Sequence, residues 1–459
     1  MRNLSMIALL IAAPIVSAGV FKIPVESTPI DELKLAMDGT TFLPKDHLLR
    51  GVFYFGSAHV KANLIFDTSS DWVFVMDKQC LSCDPSNRLY EWKESTSAAN
   101  SDIITAYNAN YGQIVVVGDD VNDTVCIQNK FDYCAKNFRF LSVTDVSKKM
   151  LPMQGVVGMA PDDPKNGPSF VATLVDQKVI DKKMVGIMIT GPDQGGDSTI
   201  TMGGYDDTQF DKYTDRVVYW YKTTSDQLWQ IPLNDLKFGN YTLFTDNYKR
   251  NAIFNSFFKG ISLPSDMFKK FAELAQKQIR LTNCDQTTGF CRFPGLCSKQ
   301  IRNLFDIKIQ FGDVQVYNIP AKGYVYDSTT DEGYPECRYR MNISSDNNIV
   351  LGTPFLYNYY QILNYENNSL GLYLHQFSDS TIAPTGIDER TGNTGSGGGD
   401  NDNSLPPWAV ALIVISILII VGAIIAFVVI RRRNQKLGEQ LVEYSKLEPD
   451  TSNKAKSTL

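Results

Sequence analysis

Leu64-Ile65-Phe66-Asp67-Thr68-Ser69-Ser70-Asp71-Trp72-Val73 carries a carboxylate at the end of a wholly apolar run and follows it with hydroxyls. An acid that leaves a buried strand needs hydrogen-bond donors close by, and Thr68, Ser69 and Ser70 are placed to supply them. The commoner fate of an aspartate after a strand is an exposed turn, so the neighbouring segments must decide. Between residues 48 and 378 the chain is mostly short β-type runs, such as Val52-Phe53-Tyr54-Phe55 and Gln113-Ile114-Val115-Val116-Val117, punctuated by Gly, Asn, Asp and Pro. The clearest helical stretch is Ser265 to Arg280, where Ser265 is placed to cap the first turn and Met267, Phe268, Phe271, Leu274 and Ile279 recur at near-helical spacing. Many strands and few helices predict an all-β domain or a pair of them.

At 459 residues the chain exceeds one ordinary core. With 44 basic and 50 acidic residues and a formal charge of −6, it has no basic field for nucleic acid. Met1-Arg2, the apolar run Met6 to Val16, and then Ser17 and Ala18 read as a secretory signal over 1–18, cleaved near Ala18. Trp408 to Ile430 is apolar except for Ser416 and Gly422 and runs straight into Arg431-Arg432-Arg433, which predicts one transmembrane α-helix over 408–430. The arginines place the tail, 431–459, on the cytoplasmic side and everything from about residue 19 to 407 in a lumen or outside the cell. A Gly-, Ser-, Asn- and Asp-rich stretch over 379–407 reads as a flexible tether.

Eight cysteines in a lumenal chain predict four disulfides. They fall in near pairs, Cys80 with Cys83, Cys126 with Cys134, Cys284 with Cys291, and Cys297 with Cys337, although spacing alone does not fix the connectivity. His47, His59 and His375 are far apart and show no metal-pairing signature, so no metal or cofactor is expected. Sequons at Asn122, Asn240, Asn342 and Asn367 predict a glycosylated exterior.

Over nearly the whole of 48–378 the chain resembles the pepsin family of aspartic proteases, which implies a bilobal, mainly β fold with an inter-lobe cleft. Gly51-Val52-Phe53-Tyr54-Phe55-Gly56 is similar to the family's first hairpin, and Asp67-Thr68-Ser69-Ser70-Asp71 to its first Asp-Thr-Gly-Ser-Asp loop, with Ser69 for Gly. Gly155-Val156-Val157-Gly158-Met159-Ala160 resembles the strand that threads beside that loop. Met202-Gly203-Gly204-Tyr205-Asp206 and Leu228-Trp229-Gln230-Ile231 match the passage into the second lobe, and Ile349-Val350-Leu351-Gly352-Thr353-Pro354-Phe355-Leu356 resembles that lobe's end. The implied lobes are 48–204 and 205–378, with 19–47 either a short propeptide or an N-terminal strand and linker. Lys22, Lys34 and Lys45 are all available for a zymogen contact. The resemblance also brackets the late hairpins of the second lobe with Cys297 and Cys337.

The family's chemistry, as the resemblance implies it, needs one carboxylate from each lobe. Two like charges about 3 Å apart cannot both ionise, so one polarises the scissile carbonyl while the other takes a proton from water. Asp67 matches the first. Where the second motif should read Ala-Ile-Val-Asp-Thr-Gly-Thr, the chain has Ala252-Ile253-Phe254-Asn255-Ser256-Phe257-Phe258. Asn255 can hydrogen-bond Asp67 but moves no proton. Ser256 keeps a hydroxyl, whereas Phe257 at the glycine position is expected to distort or displace the loop. Asp246 and Asp266 lie in unrelated contexts. The flap tyrosine of the family maps to Tyr107, ahead of Gly118-Asp119, with Asn108, Ala109 and Asn110 where glycines are expected and Tyr111 as a second aromatic.

In the tail, Tyr444-Ser445-Lys446-Leu447 resembles the endocytic signal read by clathrin adaptors. Three readings follow: a membrane-anchored protein of weak or absent proteolysis that keeps a cleft for a peptide or protein ligand, an active endopeptidase using Asp67 with another partner or a deamidated Asn255, and an ectodomain scaffold for adhesion or receptor contacts.

Overall fold

The apolar run that ends at Asp67 forms strand Val60–Asp67, buried on both faces from Leu64 onward. A strand covered on both faces of its sheet loses the usual alternation, which is why the run reads as continuously apolar. It pairs in parallel with Gly155–Gly158, Gly158 standing opposite Asp67, and that short strand pairs antiparallel with Val73–Met76. Gly158 is required by space: a Cβ there would lie 2.6 Å from the Ser70 carbonyl oxygen and from the Trp72 nitrogen.

The second half of the chain repeats this arrangement. Arg250–Phe254 pairs in parallel with Ile349–Leu351, which pairs antiparallel with Ile261–Leu263. Here Gly352 makes the close approach, since its Cβ would sit 2.1 Å from the Phe258 carbonyl oxygen. Each half therefore ends a buried strand in a loop clamped by a glycine-bearing neighbour.

This computed structural model describes residues 19–29, 36–37, 40–41, 47–109, 114–147, 153–161, 169–191, 193–212, 217–245, 249–312, 315–330 and 332–384. Among them, the strands Val60–Asp67, Gly155–Gly158 and Val73–Met76 lie inside an eight-stranded sheet that runs from Glu26–Pro29 at one edge to Ala99–Ala109 at the other. Gln230–Leu233, Arg250–Phe254, Ile349–Leu351, Ile261–Leu263 and Met341–Ile343 form a five-stranded sheet in the second half. A six-stranded sheet joins the halves, with Thr199–Met202 and Met184–Met188 from the first and Tyr359–Asn364, Ser369–Leu374 and Tyr219–Lys222 from the second. The mainly β expectation holds. The expected signal (1–18), residues 385–407 of the expected tether, the membrane span and the tail motif Tyr444 to Leu447 lie outside the described residues, and among those described no helix is long and apolar enough to cross a membrane. The start of the expected tether, 379–407, is corrected: Ile382–Pro384 is a strand that pairs antiparallel with Gln315–Ile319, so the folded domain continues to at least Pro384.

Residues 21–29 are woven into this frame. Phe21–Pro24 pairs antiparallel with Thr199–Met202 at the edge of the shared sheet, and Glu26–Pro29 with His47–Phe55. Lys22, one of the three candidate zymogen lysines, forms an ion pair with Asp206. All four expected disulfides are formed, Cys80–Cys83, Cys126–Cys134, Cys284–Cys291 and Cys297–Cys337.

One local expectation is corrected. The helix runs Ser265–Gln278, and Ser265 is its first helical residue while Pro264 occupies the capping position without a side-chain hydrogen bond. Proline's fixed φ suits a helix entrance, so the chain enters on backbone geometry instead of a hydroxyl cap. Of the sequons, Asn240 and Asn367 are exposed in turns, whereas Asn122 and Asn342 are half-buried within strands Ile114–Cys126 and Met341–Ile343.

His375 is 1% exposed, with Nε2 donating to the Tyr357 carbonyl oxygen at 2.6 Å and Nδ1 accepting from the Phe377 N–H at 3.2 Å. Burial pushes its pKa down from 6.5 to about 4. The unfolded chain takes up a proton below 6.5 that the folded ring refuses, so the neutral ring's contribution is complete above 6.5 and is lost as pH falls through about 4. The gap is worth about 3 kcal/mol. Urea unfolding of the wild type should lose roughly that much between neutrality and about pH 4 beyond what His375→Gln loses over the same interval; parallel pH profiles for the two proteins would contradict the assignment.

Candidate active site

The two clamped loops are tied to each other by four buried hydrogen bonds. The Thr68 N–H donates to Ser256 Oγ (3.1 Å) and the Ser256 N–H donates to Thr68 Oγ1 (3.0 Å). Each hydroxyl then donates to a carbonyl across the divide, Thr68 Oγ1 to Phe254 (2.8 Å) and Ser256 Oγ to Phe66 (2.9 Å). A hydroxyl both donates and accepts, and that capacity is what both positions use.

Asp67 is 1% exposed. Its Oδ1 accepts from the Ser69 N–H at 2.8 Å and from Ser69 Oγ at 2.6 Å, and its Oδ2 accepts from Ser70 Oγ at 2.6 Å. Its own carbonyl accepts from the Met159 N–H at 2.8 Å. Every side-chain partner named here is a donor, which complements a carboxylate. Ser69, in place of the glycine of the resembled motif, thus adds a hydroxyl to the acid's shell.

Asn255 takes the equivalent place after Phe254. Its backbone N–H donates to the Leu351 carbonyl at 3.1 Å, and its Oδ1 accepts from the N–H groups of Phe257 and Phe258 at 2.9 and 3.1 Å. Two N–H donors fix the oxygen end of the amide inside its own loop, because the –NH2 end cannot accept.

The displacement expected from Phe257 does not occur. The four inter-loop bonds are intact on either side of it, and the ring is 2% exposed within a cluster that includes Ile65, Trp72, Val116 and Leu141. The glycine of the resembled motif is therefore not needed for torsion here, since Phe257 has no positive φ. The side chain finds apolar burial in the opposite half of the domain.

Tyr107 lies on the long hairpin of Ala99–Ala109 and Ile114–Cys126, paired with Val116. Its hydroxyl donates to Asp71 Oδ1 at 2.7 Å and accepts from the Asp71 N–H at 3.2 Å, and its ring lies 6.2 Å from that of Trp72. Burial and then the Asp71 charge push the phenol's pKa upward, so it remains a donor. The hairpin tip with Tyr111 lies outside the described residues. Asp71 as the anchor of Tyr107 was missed in the sequence, although it closes the very motif that was read there. Lys259, four residues after Asn255, is buried as well.

Two second-half rings complete the floor: Trp229 Nε1 donates to the Met159 carbonyl at 2.6 Å and the Tyr365 hydroxyl donates to the same oxygen at 2.8 Å. Asp266, the acid nearest in sequence to the Asn255 loop among the described residues of the second half, is held by Arg250 at 3.0 Å and by Thr245.

Removing one hydroxyl tests the tie between the loops. Thr68→Val strands the buried Ser256 N–H and Phe254 carbonyl at roughly 1–3 kcal/mol each. Thermal unfolding should show a Tm drop larger than that of Ser69→Ala, whose lost hydroxyl leaves Asp67 two other donors; equal drops would mean the inter-loop bonds carry little.

A family profile described as eukaryotic aspartyl protease matches residues 51–374. A probable aspartic-type endopeptidase CTSD of Arthroderma benhamiae is 26% identical over 340 residues, covering 72% of this chain and 61% of that protein. Plasmepsin I of Plasmodium falciparum is 27% identical over 342 residues, covering 70% of this chain and 69% of its own length. The chain thus spans about 61% of the length of the fungal relative.

Proposed function

The chain belongs to the eukaryotic aspartyl protease family, and from that premise we propose that it is a single-pass membrane protein whose lumenal domain binds extended peptides in the groove between its lobes and hydrolyses them weakly or not at all. The observation that carries this reading is the juxtaposition of a buried, fully hydrogen-bonded acid with an amide: Asp67 has three side-chain and backbone donors, and the loop tied to it presents Asn255. In this reading Asp67 is the first catalytic position and Asn255 the second, substituted one. Thr68, Ser69, Ser70 and Ser256 support them, and Tyr107 covers the groove.

Asp67 can accept a proton from water, but Asn255 can neither hold a proton for the scissile carbonyl nor return one to the leaving amine. Losing a general acid or base costs roughly 10²- to 10⁴-fold. Asp266 offers no replacement while it is committed to Arg250. The groove itself needs no proton transfer to hold an extended backbone, and strand-like addition along it would supply main-chain hydrogen bonds.

The membrane assignment rests on Trp408 to Ile430 with its trailing arginines, and the exit route on the leader over 1–18. The disulfides fit an oxidising lumen. Glycans at the exposed Asn240 and Asn367 and adaptor binding through Tyr444 and Leu447 belong to the same proposal, which places the protein in the secretory or endolysosomal pathway or at the cell surface.

Turnover of a quenched fluorescent peptide library from about pH 3 to about pH 7, across the carboxylate and imidazole titrations, tests the reading. The wild type should be silent and Asn255→Asp should gain acid-range turnover that Asp67→Ala removes. Wild-type turnover that vanishes in Asp67→Ala would overturn the proposal and require another catalytic partner.

A further inference from the structure

We propose that Phe257 is the specificity-determining residue of the groove: its ring fills an apolar subsite beside Asp67, so the site admits peptides with a small residue there and excludes bulky apolar ones. The inference rests on the peptide-binding reading above and concerns which peptides fit.

The cluster that buries Phe257 is otherwise built from residues 65 to 156, all of the first half of the domain. Ile65 and Trp72 flank the Asp67 loop, and Val116 is the cross-strand partner of Tyr107, whose ring packs against the same cluster. The cluster therefore lies between the acid's loop and the base of the covering hairpin. That hairpin is pinned to the loop by the Tyr107–Asp71 hydrogen bond at 2.7 Å, so the wall is fixed. Phe257 alone in the cluster comes from the second half, two residues past Asn255, and it is 2% exposed.

A benzyl group so placed has crossed the floor between the loops and taken space that a peptide side chain next to Asp67 would otherwise enter. Close-packed interiors leave no spare volume for a second large group. A methyl or hydrogen at that point of the ligand passes, and an isobutyl group collides with the ring or must expel it. Glycine at 257 would return the volume and leave a pocket walled by Trp72, Val116 and Leu141, which suits a branched aliphatic side chain.

The test uses the full-length protein in detergent and two statine-type peptides that differ only in the side chain of the statine unit, isobutyl in one and methyl in the other. Binding is read by calorimetry at acid pH for the wild type, Phe257→Leu and Phe257→Gly. The wild type should prefer the methyl peptide by about tenfold or more, the order expected for apolar size discrimination. Phe257→Gly should reverse the preference and Phe257→Leu should fall between, which keeps the test valid if the glycine variant fails to fold. Binding of both peptides with the same ratio in wild type and variants would overturn this inference and leave the groove standing. Absence of binding by every protein would overturn the peptide-binding reading and this inference with it.

Discussion

The reciprocal pairing of Thr68 and Ser256 is the constraint on which the rest of the structure depends. These residues are 188 positions apart, and each presents an N–H to the other's hydroxyl. Bringing such distant segments together costs loop-closure entropy that local contacts do not repay, so the tie needs a rigid frame. Gly158 and Gly352 provide it by letting a neighbouring strand press directly on each loop. The six-stranded sheet shared between the halves then holds the two frames in one orientation.

This arrangement separates scaffold from chemistry. The tie consumes the hydroxyls of Thr68 and Ser256 and the carbonyls of Phe66 and Phe254, and none of these bonds involves Asp67 or the Asn255 side chain. An amide at position 255 is compatible with the frame, because its oxygen accepts the Phe257 and Phe258 N–H groups as a carboxylate oxygen would. Serine at 256 is the substitution the frame tolerates, since it keeps the donor and acceptor of the threonine it replaces.

The first half is the better-armed side. Asp67 is surrounded by donors from Ser69 and Ser70, and the Tyr107 hairpin is anchored next to it through Asp71. On the second side the space beside the loop is spent on the ring of Phe257, packed against first-half residues. Burying that ring contributes hydrophobic stabilisation across the floor, so the same substitution that fills the site also binds the halves together.

How far the sequence reached follows from the range of the interactions involved. The apolar run into Asp67, the helix near 265 and the presence of asparagine at 255 are local patterns, set by strand burial, helical periodicity and residue identity, and each could be read from neighbours along the chain, whereas the cysteine pairing, which includes a bridge across 40 residues, could not. The helix entrance at Pro264 was misread because a proline and a serine side by side both fit a helix start, and only backbone geometry chooses. The fate of Phe257, the inward turn of the Asn255 amide and the grip of Asp71 on Tyr107 belong to the tertiary structure alone. The first and last depend on which groups from the other half, or from a strand some 36 positions away, arrive within van der Waals or hydrogen-bond reach, and the amide's turn on the loop conformation that brings the N–H groups of Phe257 and Phe258 to its oxygen. The sequence by itself determined the mainly β frame and which residues stand at 67 and 255; the packing of two distant loops decided that a bulky residue at 257 is buried and not displaced, because the volume that receives it exists only once the halves have met.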